Sequence, residues 1–404
     1  MRILQIFNRY LEKGGEEASV NRIFQSLEER HEIRQLSFAS ESWLGEPWYL
    51  KALQVPRMFR NPAALRLLRR EVETFRPDAA LLHNVFPVGS LACYTELVEL
   101  GVPVVQYIHN FRPFSVNGYC WAEGRIADRG LNGDFWPEIR SGAWQHSRLK
   151  TACYAAVLWT GHRRGIWQGI DGWVAISDFM RETFIAGGID PERVTTVRHC
   201  WDRLNPDETP PPSDGRKSLL FLGRMTEEKG LRVLADAWER VERERADGEL
   251  VVGGQGPMEE WFRERVKGLK RVRVEGFVQG ERKRELLAGC RAMVVPSVWW
   301  EPLGLVVYEA YDFCRPVLAA AGGGLTETVV AGETGWLHPP GEAVELAKQM
   351  HEVLDGDGGE AARRGRAGRR WLEANTAVGP WIDKLEGVFA RVVKGPQPAG
   401  IPES

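Results

Sequence analysis

The sequence predicts an α/β protein built from two doubly wound units, each a parallel sheet covered by helices on both faces. Three observations predict it. Short apolar runs alternate with longer amphipathic stretches along most of the chain, the pattern of strands joined by crossover helices. The alternation breaks once, in NPDETPPPSDG at 205–215, and then restarts. The chain has 404 residues, more than one ordinary domain holds.

Each element follows from local pattern. In the first half the apolar runs Ile3–Phe7, Ala79–Leu82, Val102–Ile108, Trp173–Ile176 and Val194–Val197 are expected strands. Ala18–Glu29, Ala63–Phe75 and Asp178–Ala186 carry helical periodicity between them. In the second half the expected strands are Ser218–Leu222, Leu250–Val252, Val272–Val274, Ala292–Val295 and Pro316–Ala320. The expected helices there are Gly230–Glu242, Glu259–Lys267, Glu281–Ala288 and Leu305–Phe313, followed by Val344–Leu354, Ala361–Ala374 and Trp381–Val393. Prolines, acids and a glycine make 205–215 unsuited to a strand or helix interior, so it is the expected linker. The expected organisation is therefore residues 1–204, a linker at 205–215, residues 216–378, and a closing helix with a frayed tail at 379–404. Asn110–Ser147 does not fit the alternation. It is long, irregular and rich in glycine and aromatic residues, which leaves two readings: a flap packed on its own domain, or an acceptor-binding lid.

Composition excludes several classes. Hydrophobic residues make up 43% and charged residues 27%, the balance of a globular protein with sizeable cores. A formal net charge of -2 gives no drive toward nucleic acid. The six cysteines form no CxxC pair and no zinc-finger spacing. They are expected to be reduced, mostly buried thiols of a cytoplasmic protein. No metal site is expected. The start is a short strand pattern rather than a signal peptide, and no apolar run reaches the length of a membrane span. Arg57-Met58-Phe59-Arg60, Arg66, Arg69-Arg70 and His162-Arg163-Arg164 are basic and partly apolar. They suit either a solvated helix face or peripheral association with the inner face of a membrane.

The chemistry-bearing motifs lie where strands end and helices begin. Gly14-Gly15 follows the first strand. Paired glycines let the backbone approach a ligand, and a helix start offers N–H groups to a phosphate, although a plain turn needs the same residues. Gly223-Arg224 and Lys229-Gly230 flank a turn after the first strand of the second half. Two cations there can hold a diphosphate, or they are solvated surface charges. Gly253-Gly254-Gln255-Gly256 lacks the last glycine of a dinucleotide fingerprint, since Glu259 stands there, and is a tight turn shaping a pocket floor. Glu301-Pro302-Leu303-Gly304-Leu305 leads into a helix that carries Glu309. Two carboxylates at such an opening can accept hydrogen bonds from sugar hydroxyls. They also suit an ion pair in the helix layer and a helix N-terminal acid. Gly322-Gly323-Gly324 repeats the glycine theme ahead of Glu327. His109 ends a first-half strand, where a structural histidine and a ligand-facing one are both reasonable.

In this order the motifs resemble glycosyltransferase family 4 of the GT-B fold, over Met1 to about Trp371. Glu301 to Glu309 matches the E-x7-E element, its most specific feature. Gly223-Arg224 with Lys229-Gly230, Gly254–Pro257, Gly276-Phe277-Val278, Gly323-Gly324 with Glu327, and Thr334-Gly335 follow in register, and Gly14-Gly15 and Val174–Phe184 fit as well. The resemblance implies two Rossmann-like domains facing each other across a cleft, and a retaining, metal-independent transfer from a nucleotide diphosphate sugar. It implies no cofactor beyond that co-substrate, and a glycan or lipid-linked acceptor. Arg224 and Lys229 would neutralise the leaving diphosphate, and Glu309 would bind the ribose. Glu301 with the backbone of Leu303, Gly304 and Leu305 would hold the donor sugar and phosphate. Phe277 and Val278 would line the base pocket. Gly14, Gly15, Gly223 and Gly254 would let the backbone come close, and His109 would touch the donor sugar. The last helix would cross back to the first domain. Tyr311-Asp312-Phe313-Cys314 and Arg198-His199-Cys200-Trp201-Asp202 depart from the family pattern. A sugar-nucleotide epimerase and a catalytically silent nucleotide-sugar-binding protein are the alternatives on the same scaffold.

Overall fold

A computed structural model describes residues 1–9, 15–47, 53–201 and 217–395. Gly14, the expected linker at 205–215 and the tail beyond Gly395 lie outside the described residues. The chain divides into two compact units. One draws on Met1–Glu123, Ala127–His199 and Val378–Ser404, the other on Gly124–Ile126 and Cys200–Ala377.

The first unit contains strands β1 (Arg2–Arg9), β2 (Glu32–Ala39), β3 (Ala79–Leu82), β4 (Val104–Ile108), β7 (Gly172–Ala175) and β8 (Val194–Thr196) and the short β5 (Trp121–Ala122), while the short β6 (Arg125–Ile126) falls in the Gly124–Ile126 segment of the other unit. The six-stranded sheet runs β2-β1-β3-β4-β7-β8, and all its pairings are parallel. Strands β3, β4 and β7 are buried along their whole length. A sheet covered on both faces needs such continuous apolar runs, which is why the sequence shows them. β2 alternates instead, EIRQLSFA, and lies at the sheet edge. That strand was not among the expected ones.

The second unit is also built on a six-stranded parallel sheet, with β9 (Ser218–Leu222), β10 (Glu249–Gly253), β11 (Val272–Gly276), β12 (Ala292–Val295), β13 (Val317–Ala320) and β14 (Gly335–His338) in the order β11-β10-β9-β12-β13-β14. This is the 3-2-1-4-5-6 order of a dinucleotide-binding sheet. β14 is a further strand beyond those expected. Leu231–Glu244 shows why these helices form. Leu231, Leu234, Trp238 and Val241 recur on one face and are fully buried, so packing the apolar stripe on the sheet drives the helix.

The irregular stretch from Asn110 to Ser147 is mostly a packed flap. Phe111, Phe114 and Phe135 are buried, while Trp136 is exposed. Glu138 anchors the stretch. Its carboxylate accepts from Ser115 Oγ at 2.8 Å and from the amides of Val116 and Asn117. Those three donors satisfy most of what burial took from water.

Val378–Lys394 packs into the first unit. It buries Trp381, Ile382, Leu385, Val388 and Phe389. Gly172 of β7 leaves room for it, because a Cβ there would lie 2.8 Å from Val392. Arg30 pairs with Asp383 at 2.6 Å. All six cysteines are free thiols, and Cys153 alone is not fully buried. Among the described residues no helix is long and apolar enough to cross a membrane. Of the basic stretches, Arg57 pairs with Glu46, and Arg60 and Arg69 both turn to the buried Glu96. These charges are committed to carboxylates of the same unit, which favours the solvated-face reading.

Candidate functional site

In the second unit the loops after β9 and β12 stand side by side, because those strands are neighbours and mark where the strand order reverses. Ligands of open α/β sheets bind at the carboxyl ends of the strands at such a point. The loop after β9 carries Gly223, Arg224 and Lys229. The loop after β12 carries Glu301. Lys229 Nζ donates to Glu301 Oε1 at 2.5 Å, and Ser297 Oγ donates to the same oxygen at 2.8 Å. Lys229 also lies over the Trp299 ring, 4.9 Å from its centroid. Burial pushes the Glu301 carboxyl up, but the Lys229 ammonium with the Ser297 and Trp299 donors outweighs it. The result is a carboxyl held below its ordinary range. Arg224 reaches Glu228 Oε1 at 3.4 Å, an oxygen that Thr226 Oγ1 also meets at 2.7 Å. The structure therefore brings Lys229 and Glu301 together and sets Arg224, half exposed, one turn away.

Several glycines of this region let neighbouring loops approach one another. Gly254 sits against Gly223, where a Cβ would be 1.8 Å from the Gly223 carbonyl oxygen. A Cβ on Gly323 would lie 2.3 Å from the Glu301 carbonyl oxygen, and one on Gly324 2.5 Å from that of Pro302. Gly230, at φ +75, would meet the Pro296 carbonyl oxygen at 1.8 Å. Here the missing side chains let neighbouring loops pack backbone to backbone. Gly230→Ala is expected to cost about 1–3 kcal/mol from backbone strain alone. It should also part the Lys229 loop from the Glu301 loop, and a urea midpoint with a parallel turnover assay would show both losses.

The other expected donor residues fall around this core. Gly304, at φ +83, precedes the helix Leu305–Asp312, so Leu305 sits in a first turn whose amides lack intrahelical partners. Leu303 is buried, and its carbonyl accepts from Thr328 Oγ1. Glu309 accepts from Lys283 Nζ at 2.6 Å, the helix-layer ion pair that was one of its two readings. Phe277 stands 61% exposed just beyond edge strand β11. Val278 fills the space left by Gly253, whose Cβ would lie 2.7 Å from it.

The first unit supplies a separate set. Gly15 is the first residue of the helix Gly15–Glu28. Next to it, Glu16 accepts from Asn110 Nδ2 at 3.1 Å, which ties that helix start to the loop carrying His109. Glu16, His109, Asn110 and Arg112 line one small pocket. His109 is not a free rim residue. Its ring stacks on Tyr107 and on His199, with centroids 5.0 and 5.2 Å away. Its Nε2 lies 2.8 Å from His83 Nδ1. Burial lowers its pKa to about 3, so it is a neutral imidazole at ordinary pH and cannot act there as a cation.

Sequence reasoning missed His83, Lys283, Ser297 and Trp299. His83 carries the signal that singled out His109, a polar residue just past a buried strand. The other three contact the site from loops or helices with no such mark. Among the described residues no group of three or more His, Cys, Asp or Glu side chains could hold a metal ion.

Comparison with known proteins is consistent along the chain. Residues 14–200 match the family model described as a glycosyl transferase 4-like domain, and residues 216–356 match glycosyl transferases group 1. The chain is 33% identical to the glycogen synthase of Mycobacterium tuberculosis over 321 residues, 78% of this chain and 69% of that one. It is 30% identical over 274 residues to the alpha-D-kanosaminyltransferase of Streptomyces kanamyceticus, covering 66% of each. Among solved structures, Anabaena HepE in complex with UDP aligns with a TM-score of 0.66 at 18% identity, over 96% of this chain and all of that one. The sucrose-phosphate synthase of Thermosynechococcus elongatus aligns at 0.67 and 18%, over 96% and 98%. At such identities these two structures speak for the fold alone.

Proposed function

The chain belongs to the GT-B glycosyltransferases, and we propose that within them it is a retaining family 4 enzyme moving a hexose from a nucleotide diphosphate sugar to a hydroxyl acceptor on a glycan or lipid. The observation that carries this reading is the Lys229–Glu301 contact, because it joins the cationic turn to the E-x7-E element at the sheet's switch point. Lys229 and Arg224 bind the diphosphate, the first as a point charge and the second as a fork. Charge on the leaving diphosphate grows as the glycosidic bond breaks. Fixed cations and first-turn amides at Gly304 and Leu305 therefore stabilise the transition state more than the ground state. Glu301 accepts from donor-sugar hydroxyls and keeps Lys229 in place. Glu309 takes the ribose hydroxyls, a role that shares its carboxylate with Lys283. The acceptor's proton passes to the leaving diphosphate, so no side chain is assigned as general base. The cations of the chain carry the neutralising charge, and no cofactor takes part beyond the co-substrate.

One named relative is a kanosaminyltransferase and another a glycogen synthase, which favours transfer over epimerisation of the donor or silent binding. HepE was solved with UDP, so UDP-sugars are the first donors to try. The test is a thermal-shift series with UDP, GDP and ADP and their sugars in EDTA, followed by product analysis of the anomeric configuration. A selective rise in melting temperature and a product of unchanged configuration are expected. A response that needs a divalent ion, or an inverted product, would overturn the corresponding part of the reading.

A further inference from the structure

We infer that Gln5 and His83 form a hydrogen-bond relay that fixes His109 as a neutral imidazole carrying its proton on Nδ1, so that His109 serves as a hydrogen-bond donor to an acceptor oxygen of the bound sugar. This deepens the proposed function and rests on it for the identity of the ligand. The relay itself stands on contacts within the first unit.

The direction of each bond follows from the one before. Gln5 Nε2 lies 3.1 Å from the Val20 carbonyl oxygen. A carbonyl can only accept, which fixes the orientation of the Gln5 amide. Gln35 Nε2 donates to Gln5 Oε1 at 2.9 Å, in agreement. The second hydrogen of Gln5 Nε2 then points to His83 Nε2, 2.9 Å away. That ring nitrogen must accept, so the single proton of a neutral His83 sits on Nδ1. His83 Nδ1 therefore donates to His109 Nε2 at 2.8 Å. With Nε2 accepting, neutral His109 holds its proton on Nδ1.

His109 Nδ1 is buried and has no hydrogen-bond partner among the described residues. A buried N–H without an acceptor is costly, and His109 lines the small pocket with Glu16, Asn110 and Arg112. An acceptor oxygen from a ligand is what completes it. The stack of Tyr107, His109 and His199 holds the ring plane. Burial depresses the affinity of all three histidines for a second proton, which keeps the relay neutral. In this scheme His83 and Gln5 are positioning residues and touch no substrate.

Nitrogen-15 NMR of the full chain labelled at histidine reads the tautomer directly, without nucleotide or turnover. His109 and His83, assigned by loss of their signals in His109→Asn and His83→Gln, are expected to show a protonated Nδ1 and a bare Nε2 at pH 7.5. An Nε2-protonated or imidazolium His109 would overturn the relay, whatever the enzyme transfers. Variants give a second readout. The oxygen and nitrogen of a glutamine amide can replace the two ring nitrogens in the same sense, acceptor toward Gln5 and donor toward His109. His83→Leu should lower kcat/KM about tenfold, the effect of one misdirected hydrogen bond, and His83→Gln should restore most of it. Equal loss in the two variants, both folded, would also overturn the relay. Absence of any transfer by wild-type enzyme with the Nδ1 tautomer present would count against the transferase reading instead.

Discussion

Lys229→Ala is expected to lower kcat by roughly 10²–10³-fold, the usual effect of removing one preorganised charge partner of a transition state. The same change should destabilise the second unit. Lys229 and Glu301 have side-chain exposures of 20% and 7%. Removing one partner of a buried pair costs about 3–5 kcal/mol, and the partial exposure of Lys229 puts this case near the lower end. The pH dependence should change sign. In the wild type the Glu301 pKa is depressed, so its contribution is present above the unfolded carboxylate value and is lost as pH falls through the folded one. Without the ammonium, burial dominates and the folded pKa rises above the unfolded value. The contribution of Glu301 is then complete at low pH and lost as pH rises. Urea midpoints across pH 4–8 for Lys229→Ala and for Lys229→Ala/Glu301→Gln would read this. The double variant should regain stability without regaining turnover. Wild-type turnover in Lys229→Ala would remove the diphosphate assignment.

That pairing shows what the sequence could and could not convey. β3, β12 and β13 were legible because a strand buried on both faces must be apolar throughout, and each is buried along its length. β2 was not, because an edge strand meets water and its EIRQLSFA alternates charge with apolar residues. β14, GWLH, opens on glycine, ends on histidine and has one half-buried position, so no continuous apolar run declares it. The motif residues were legible one loop at a time. Their partnerships were not, since Lys229 and Glu301 are 72 residues apart and no local spacing says that β9 and β12 are neighbours. The glycines were legible as positions that exclude a side chain. Whether the excluded space holds a ligand or a carbonyl, as at Gly230 and Gly254, depends on a neighbouring loop that the sequence does not identify. Glu309 kept two readings for the same reason: Lys283, which pairs with it, lies on another helix.

Stability of the first unit is expected to fall steeply as pH drops below about 6.5, well above the range in which carboxylates titrate. His83, His109 and His199 are neutral in the folded chain, and burial is the main cause of each depressed pKa. In the unfolded chain each protonates near its ordinary value of about 6.5. Above that pH both states are neutral and the histidines contribute no slope. Below it the unfolded state binds protons that the folded state refuses, so unfolding becomes easier with each step down. The loss continues until the folded groups protonate, which for His109 is at about 3. Each such histidine gives a slope of about 1.4 kcal/mol per pH unit, so three give about 4. His162, and His338 in the second unit, are depressed in the same direction and steepen the response. Urea midpoints at pH 7.5, 6.5, 5.5 and 5.0 test this. His199→Phe keeps a flat ring against Tyr107 and removes one titrating site, so its slope should be shallower by about 1.4 kcal/mol per pH unit. A wild-type midpoint that stays level from pH 7.5 to 5.0 would mean that the stacked histidines accept protons without leaving the fold, and that burial does not hold them neutral.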